Sequence, residues 1–408
     1  VRPRSRAAAA AVLLVALPAC SVGQGPPGWV AWPEPEPVWD LPLVPGEWVE
    51  LPPSPLEARG HAGTAWTGRE LVIGGGHTYD PQTLGQTCGD GAQCAGPMPV
   101  PHDDAAAYDP AADSWRALPE LFPVPQSIYG DPSLDVLLDA EAMTWRPEVG
   151  TPPIRTLEPG RWIGEQFVTA GWIEGPNGEQ DPRKPVAVAV YDAGTGTWRT
   201  DPWPFADPHQ QELISVWTGT ELLLVVRAIG SGCTGGGVCR HLAAWSPDGT
   251  WRDVAEWRIA EPPPPGSVER PAEDQAPGVA SQFHQLLWDG QRVVGVDASS
   301  SWHEGLEFVV LDPRDGSTSP LTTLGEQLGG YPRVLLHGQD LLVVDGPRVA
   351  VFGSDDGRWR ALPPLPAQRP SNGRAVGLAG DVLVVWGGMA DDHPPGSVDE
   401  ARGWRFGL

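Results

Sequence analysis

Positive charge is scarce in this sequence: 27 lysines and arginines stand against 52 aspartates and glutamates, a net charge of −25 over 408 residues. A surface so acidic repels phosphodiester backbones and anionic bilayers, which excludes nucleic acid as a partner and excludes electrostatic attachment to a membrane. Long apolar runs are scarce too, and none after the first 20 residues is long enough to cross a bilayer as a helix. Phosphate-cradling loops are lacking, because Gly74-Gly75-Gly76 is followed by no Lys-Ser/Thr and no helix. No Ser-His-Asp spacing and no nucleotide motif stands out, and no cofactor is expected. Cysteine is limited to five residues and tyrosine to five, which bounds both disulfide content and tyrosine-based chemistry.

Residues 1–20 read as a targeting segment, with Arg2, Arg4 and Arg6 ahead of the apolar stretch Ala7 to Leu17. Leu17-Pro18-Ala19-Cys20 resembles a bacterial lipobox, although Pro18 replaces the small residue usual there. The resemblance implies lipid on Cys20 and an extracytoplasmic protein held to the membrane through that lipid alone; the alternative is a secreted protein cut after Ala19. Ser21 to Pro45, with Pro33-Glu34-Pro35-Glu36-Pro37, reads as an extended tether. Residues 46–408 are expected to form one domain and a monomer, with 40% hydrophobic residues across the chain to build a core.

What the sequence has in abundance is repetition. Between Gly60 and Glu120 four short strands are expected: His61 to Trp66, Glu70 to Gly75, Ala105 to Tyr108 and Ser114 to Leu118. The first turn recurs as Trp66-Thr67-Gly68, Trp162-Ile163-Gly164, Trp217-Thr218-Gly219, Trp288-Asp289-Gly290, Leu336-His337-Gly338 and Leu378-Ala379-Gly380. The third strand recurs as Tyr108-Asp109-Pro110 with Trp115, Tyr191-Asp192 with Trp198, Trp245-Ser246-Pro247 with Trp251, Leu311-Asp312-Pro313, and Phe352-Gly353-Ser354 with Trp359. Large rings buried once per unit account for 20 tryptophans.

The Trp-x-Gly turn, the Gly doublet and the Tyr-Asp-Pro…Trp spacing together resemble the kelch repeat. That resemblance implies an all-β, kelch-like β-propeller of four-stranded blades. Six blades are expected; seven is the alternative, because Leu134 to Trp145 could hold a degenerate blade within the wide gap between Trp66 and Trp162. Only the first and last units keep a Gly-Gly at the end of the second strand. Trp48 to Pro53 copies the outer-strand endings Trp115 to Pro119 and Trp359 to Pro364, so the N-terminal outer strand is expected to join the C-terminal blade and close the ring.

Antiparallel order places connections on alternating faces. One face receives only short turns. The other receives Gly76 to Asp104, Leu121 to Gly160, Gly171 to Pro185, Arg227 to Arg240, Asp253 to Ala280, Asp297 to Gly305 and Met389 to Arg402, the places where a rigid scaffold binds. Beyond Cys20 the cysteines form two pairs of equal spacing, Cys88 with Cys94 and Cys233 with Cys239, and local disulfides are the favoured connectivity in an oxidising compartment. A divalent metal is conceivable on His77, His102 and Asp103 of the first unit with Asp391, Asp392 and His393 of the last, a mixed nitrogen and oxygen donor set.

Two functions follow. The leading one is a binding scaffold whose long-connection face engages a protein or glycan, with Trp172 and Trp302 as aromatic contacts. The second is a carbohydrate-active enzyme similar to the oxidases or sugar mutarotases built on kelch propellers. Oxidase chemistry needs a free cysteine crosslinked to tyrosine, which this chain does not readily supply, since Tyr108 and Tyr191 occupy blade positions. For a mutarotase no residue motif carries over.

Overall fold

The structure is a computed structural model that describes residues 41–79, 99–118, 138–139, 144–145, 152–156, 160–173, 186–205, 213–229, 238–259, 283–297, 305–325, 328, 332–366, 371–390 and 401–408. Residues Val1–Pro37 and Val38–Leu408 are separate units, and everything described belongs to the second. Cys20, Cys88, Cys94, Cys233, Trp302, Asp391, Asp392 and His393 lie outside the described residues.

The described residues are all-β, in several four-stranded antiparallel sheets with a propeller-like arrangement. The first sheet contains Gly63–Trp66, Leu71–Gly74, Ala105–Asp109 and Ser114–Ala117. The second contains Gln166–Ile173, Val186–Asp192 and Thr197–Pro202, and its inner edge is shared by two short strands, Ile154–Thr156 and Arg161–Ile163. The third contains Leu213–Trp217, Leu222–Ile229, Val238–Trp245 and Trp251–Ile259, and the fourth Phe283–Trp288, Val293–Asp297, Leu306–Leu311 and Thr318–Leu324. The fifth contains Arg333–His337, Asp340–Asp345, Arg348–Gly353 and Arg358–Ala361. In the sixth, Ala375–Leu378, Val382–Trp386 and Gly403–Gly407 are joined by Val49–Glu50 from the other end of the chain.

Local chemistry explains these strands. In the recurrent Trp-x-Gly turn the backbone closes on itself, Thr67 N–H donating to Glu70 O (3.0 Å), Thr218 to Glu221 (3.0 Å) and Ala379 to Val382 (2.8 Å). The glycine is required there: Gly68, Gly219 and Gly290 have φ of 86°, 92° and 93°, where a Cβ is strained. Second strands such as Leu71–Gly74 and Val293–Asp297 are buried throughout, because neighbouring sheets cover both their faces.

The repeating aromatics are cross-strand partners. Tyr108 faces Trp115, Tyr191 faces Trp198, and Phe352 faces Trp359, with ring centroids 5.1, 5.4 and 5.4 Å apart. Trp48 and Phe406 make the same kind of pair at 5.3 Å in the sixth sheet, where Val49 pairs with Arg405 and Glu50 with Trp404. The stretch just before it, which composition assigns to the tether, also lies on the fold. Leu43 bridges Ala361 in parallel, Ala361 N–H donates to Pro42 O (2.9 Å), and Val44 N–H donates to Ala361 O (2.8 Å). Leu41 and Val44 pack against buried clusters there, so extended backbone next to proline serves here as an added edge strand.

Buried apolar clusters join the second sheet to the third, the third to the fourth, the fourth to the fifth, the fifth to the sixth, and the sixth to the first. On the short-turn face polar ties follow the same succession. Arg199 donates to Pro247 O (2.7 Å), Arg252 to Pro313 O (3.1 Å) and Arg292 to Gln339 O (3.5 Å). His337 Nε2 then lies 2.9 Å from Asp381 Oδ1, and Arg405 donates to Asp113 (3.1 Å).

Three expectations need correction. Asp253 to Ile259 continues the outer strand of the third sheet instead of opening a loop, because Ala255 and Trp257 pack on the buried cluster beneath. His61 is not in the inner strand, which begins at Gly63; its φ is 56°, a left-handed conformation that no strand contains. Trp172 sits within Gln166–Ile173, opposite Arg155 and Val186, half-buried against the cluster of the second and third sheets. Its ring packs on that cluster from a strand and not from a loop.

Candidate functional site

The connections between second and third strands are longest in the first and sixth sheets, residues 75–104 and 387–402. These two sheets are neighbours, sharing a buried cluster that includes Leu71, Ile73 and Tyr108 of one and Val384 and Trp386 of the other. The long-connection face at this seam is built on Arg59, which is 1% exposed. Its Nε donates to Glu57 O (2.9 Å), Nη1 to Gly75 O (3.3 Å), and the guanidinium fork holds both carboxylate oxygens of Asp104, Nη2 to Oδ2 at 3.1 Å. The carbonyl of Arg59 accepts from Gly388 N–H (3.0 Å). One buried arginine thus holds the Gly-Gly corner of the first sheet against that of the sixth. Both corners require glycine, since Gly75, Gly76, Gly387 and Gly388 have φ of 64°, 82°, 69° and 115°.

Two residues on, His61 donates its backbone N–H to Gly373 O (2.6 Å), at the entry to the inner strand of the sixth sheet. Its ring occupies the space a side chain at Gly373 would need: a Cβ there would stand 2.7 Å from His61 Cδ2 and Nε2. The ring stacks on His77, centroids 5.0 Å apart and planes 3° from parallel. Gly60 and His77 exchange backbone hydrogen bonds of 3.0 and 3.1 Å. His77–Tyr79 then pairs with Pro99–Pro101, which brings in His102, whose N–H donates to Gly76 O (2.9 Å) and whose Nε2 lies 3.2 Å from Thr78 Oγ1.

The three half-buried imidazoles are held neutral. Burial pushes each below the usual histidine range. Arg333, heading the inner strand of the fifth sheet, opposes protonation of His61; His61 and His102 oppose that of His77; Arg59 opposes that of His102, against Asp104, Glu57 and Asp103. Burial also lowers the Arg333 guanidinium itself. For Asp104 burial acts upward, but the Arg59 bond and charge hold the carboxyl below the usual range.

Of the expected metal ligands, His77 and His102 come together, Asp103 is exposed, and the neighbouring Asp104 is engaged by Arg59. Two imidazoles stacked in parallel aim their ring nitrogens in parallel planes, so the stack itself does not converge on one ion. Among the described residues no three His, Cys, Asp or Glu could hold a metal ion. Sequence reading missed Arg59, His61 and Arg333. The first two had a signal, a short Arg-Gly-His step ahead of a glycine-flanked strand; Arg333 had none.

No family model and no curated protein matches the sequence. A solved structure, "Structure of YjhT", is similar over 86% of this chain and 94% of its own, at 9% sequence identity and a TM-score of 0.40. A likeness so distant carries no argument about fold or function, and the chain stands, on its own sheets, as an all-β protein of several four-stranded antiparallel sheets in a propeller-like arrangement.

Proposed function

We propose that this chain is an extracytoplasmic, lipid-anchored, kelch-like binding propeller that engages a protein or glycan ligand through its long-connection face. The asymmetry of the two faces carries this reading. Turns between first and second strands, and between third and fourth, span at most six residues, whereas the opposite face carries residues 75–104, 174–185 and 387–402. Rigid sheets holding variable connections on one side is the arrangement that binding surfaces use.

Six sheets support six blades, and the pairing of Val49–Glu50 with Gly403–Gly407 supports closure by a blade shared between the termini. The alternative of a seventh, degenerate blade around Leu134 to Trp145 is supported by the pairing of Leu138–Asp139 with Thr144–Trp145 and, among the described residues, by separate apolar clusters on the first and second sheets. Local disulfides are supported by Cys239, which is buried and disulfide-bonded, and we assign Cys233 as its partner. Lipid on Cys20 and the Cys88–Cys94 pair rest on the sequence.

The test is a glycan array and a panel of envelope proteins probed with the full chain. Binding that survives His337→Ala on the short-turn face and is lost in His61→Ala supports the reading. Bound metal at about one equivalent after dialysis, lost in His77→Ala and His393→Ala, would overturn it in favour of a metal-dependent enzyme.

A further inference from the structure

We infer that residues 41–48 are a releasable strap: seated, it locks the fourth, fifth and sixth sheets together from outside, and a pull on the chain ahead of it, or a cut through it, opens that lock while the sheets stay folded. The inference goes beyond the binding reading. It also goes beyond the entry of Val49–Glu50 into the sixth sheet, since the strap is the stretch before that strand and its hold is on the fifth.

The course of the strap shows what it clamps. Leu41 packs on the buried cluster shared by the fourth and fifth sheets, and Val44 on the cluster shared by the fifth and sixth. Three residues apart on an extended backbone, the two side chains point to opposite faces, so the strap straddles the outer edge of the fifth sheet with a plug on each side. Between them Leu43 bridges Ala361, with backbone bonds of 2.9 and 2.8 Å to either side. Gly46 then lies against the sixth sheet so closely that a Cβ there would stand 2.6 Å from Cζ of Phe406. Trp48 packs its ring on the same Phe406, and its Nε1 donates back to Pro363 O of the fifth-sheet side at 2.7 Å.

The hold is built to be short. Leu43 pairs in parallel with a sheet that is otherwise antiparallel, so the strap is no hairpin continuation of its neighbour. Its next rung would need an N–H from residue 363, which is proline, and the carbonyl there is taken by Trp48. Pro42, Leu43, Pro45, Gly46 and Glu47 are exposed, whereas Ala361 beneath is buried. Few buried side chains and a pair of backbone bonds at an open edge place the strap at the low-stability end of the fold, so it opens before the sheets it covers. Once it opens, the edge at Ala361 and the rims of two apolar clusters are uncovered together.

Hydrogen exchange on the full chain, read by mass spectrometry, tests this with Leu41→Ser and Val44→Ser combined, which removes both plugs. Exchange across residues 358–365 should rise about tenfold or more, while residues 71–74 of the first sheet stay as they were. Leu43→Ala, at a side chain 59% exposed, should match the unaltered chain. A uniform rise in every sheet would make the strap part of one cooperative unit and overturn the inference, as would no rise at 358–365. If the double variant does not fold, force spectroscopy on the unaltered chain held by its two ends decides. Its first event should lengthen the molecule by roughly 25 to 30 Å, the span of eight extended residues, and reverse when the load is lowered. A first event that releases a whole sheet overturns the inference. Neither readout depends on what the long-connection face binds, so the strap and the binding reading stand or fall separately.

Discussion

The first sheet packs differently where it meets the sixth and where the chain leads on to the second. At the former one buried cluster spans both sheets, with Leu71, Ile73, Ala106 and Tyr108 meeting Ala375, Val384 and Trp386. Thr64 donates to Val376 O (3.0 Å), His61 to Gly373 O (2.6 Å) and Gly388 to Arg59 O (3.0 Å). At the latter the buried apolar residues fall into two groups, Ala65, Val72, Ala105, Ala107 and Leu118 on the first sheet, and Ile154, Ala187 and Ala189 on the second. Each group is small-residue rich and buried, and the chain between them contributes the paired short strands Leu138–Asp139 and Thr144–Trp145. The comparison teaches that units far apart in sequence are joined directly, through one shared apolar cluster and through the polar ties of Arg59 and His61.

The largest effect is expected from Asp104→Ala. It leaves the buried Arg59 charge without its carboxylate and should cost about 3 kcal/mol, the low end for a broken buried pair because Asp104 is 42% exposed. Urea denaturation measures it, and a loss below about 1 kcal/mol would make this an ordinary surface pair and level the two seams.

Next comes Gly373→Ala, which forces a methyl onto the His61 ring at positive φ and should cost about 2 kcal/mol. His61→Gly in the same chain should recover part of that by relieving the clash. If the double variant is no better than the single one, the ring is not what fills the space.

Overpacking compares the seams directly. Ala106→Leu, in the shared cluster, should cost about 2 kcal/mol, and Ala107→Leu, facing the other way, about 1 kcal/mol or less, if that smaller cluster yields more readily. Equal costs in thermal melts would show both seams equally close-packed.

The smallest effect concerns pH. His61, His77 and His102 have folded pKa values below their unfolded ones, so on acidification the unfolded chain takes up protons first. Stability should therefore be full above about pH 6.5 and decline below it, with Tm falling by a few degrees. His61→Gln with His77→Gln should flatten that decline; an unchanged profile would place the sensitivity outside this seam.

The strands were legible from sequence because their signals are local. Trp66-Thr67-Gly68 closes its own turn, and Tyr108 and Trp115, seven positions apart, meet across a hairpin. Even the pairing of Val49–Glu50 with the C-terminal strand could be read, since Trp48 to Pro53 repeats an outer-strand ending found elsewhere in the chain. Trp172 was misread because a tryptophan beside a long insert looks the same on a loop as at the end of a buried strand. The site was half legible: His77 and His102 were named from composition, but their partner His61 was assigned to a strand by the apolar run that follows it.

By itself, then, the sequence determined a repeating all-β chain with short turns on one face and long connections on the other, because turn chemistry and strand alternation act over a few residues. Only the tertiary structure decided that Arg59 ties two glycine corners together, that Gly373 makes room for the ring of His61, and that Arg333 acts on the same imidazole. Those neighbours lie hundreds of residues apart, and their meeting depends on how whole sheets stack, which no local pattern encodes.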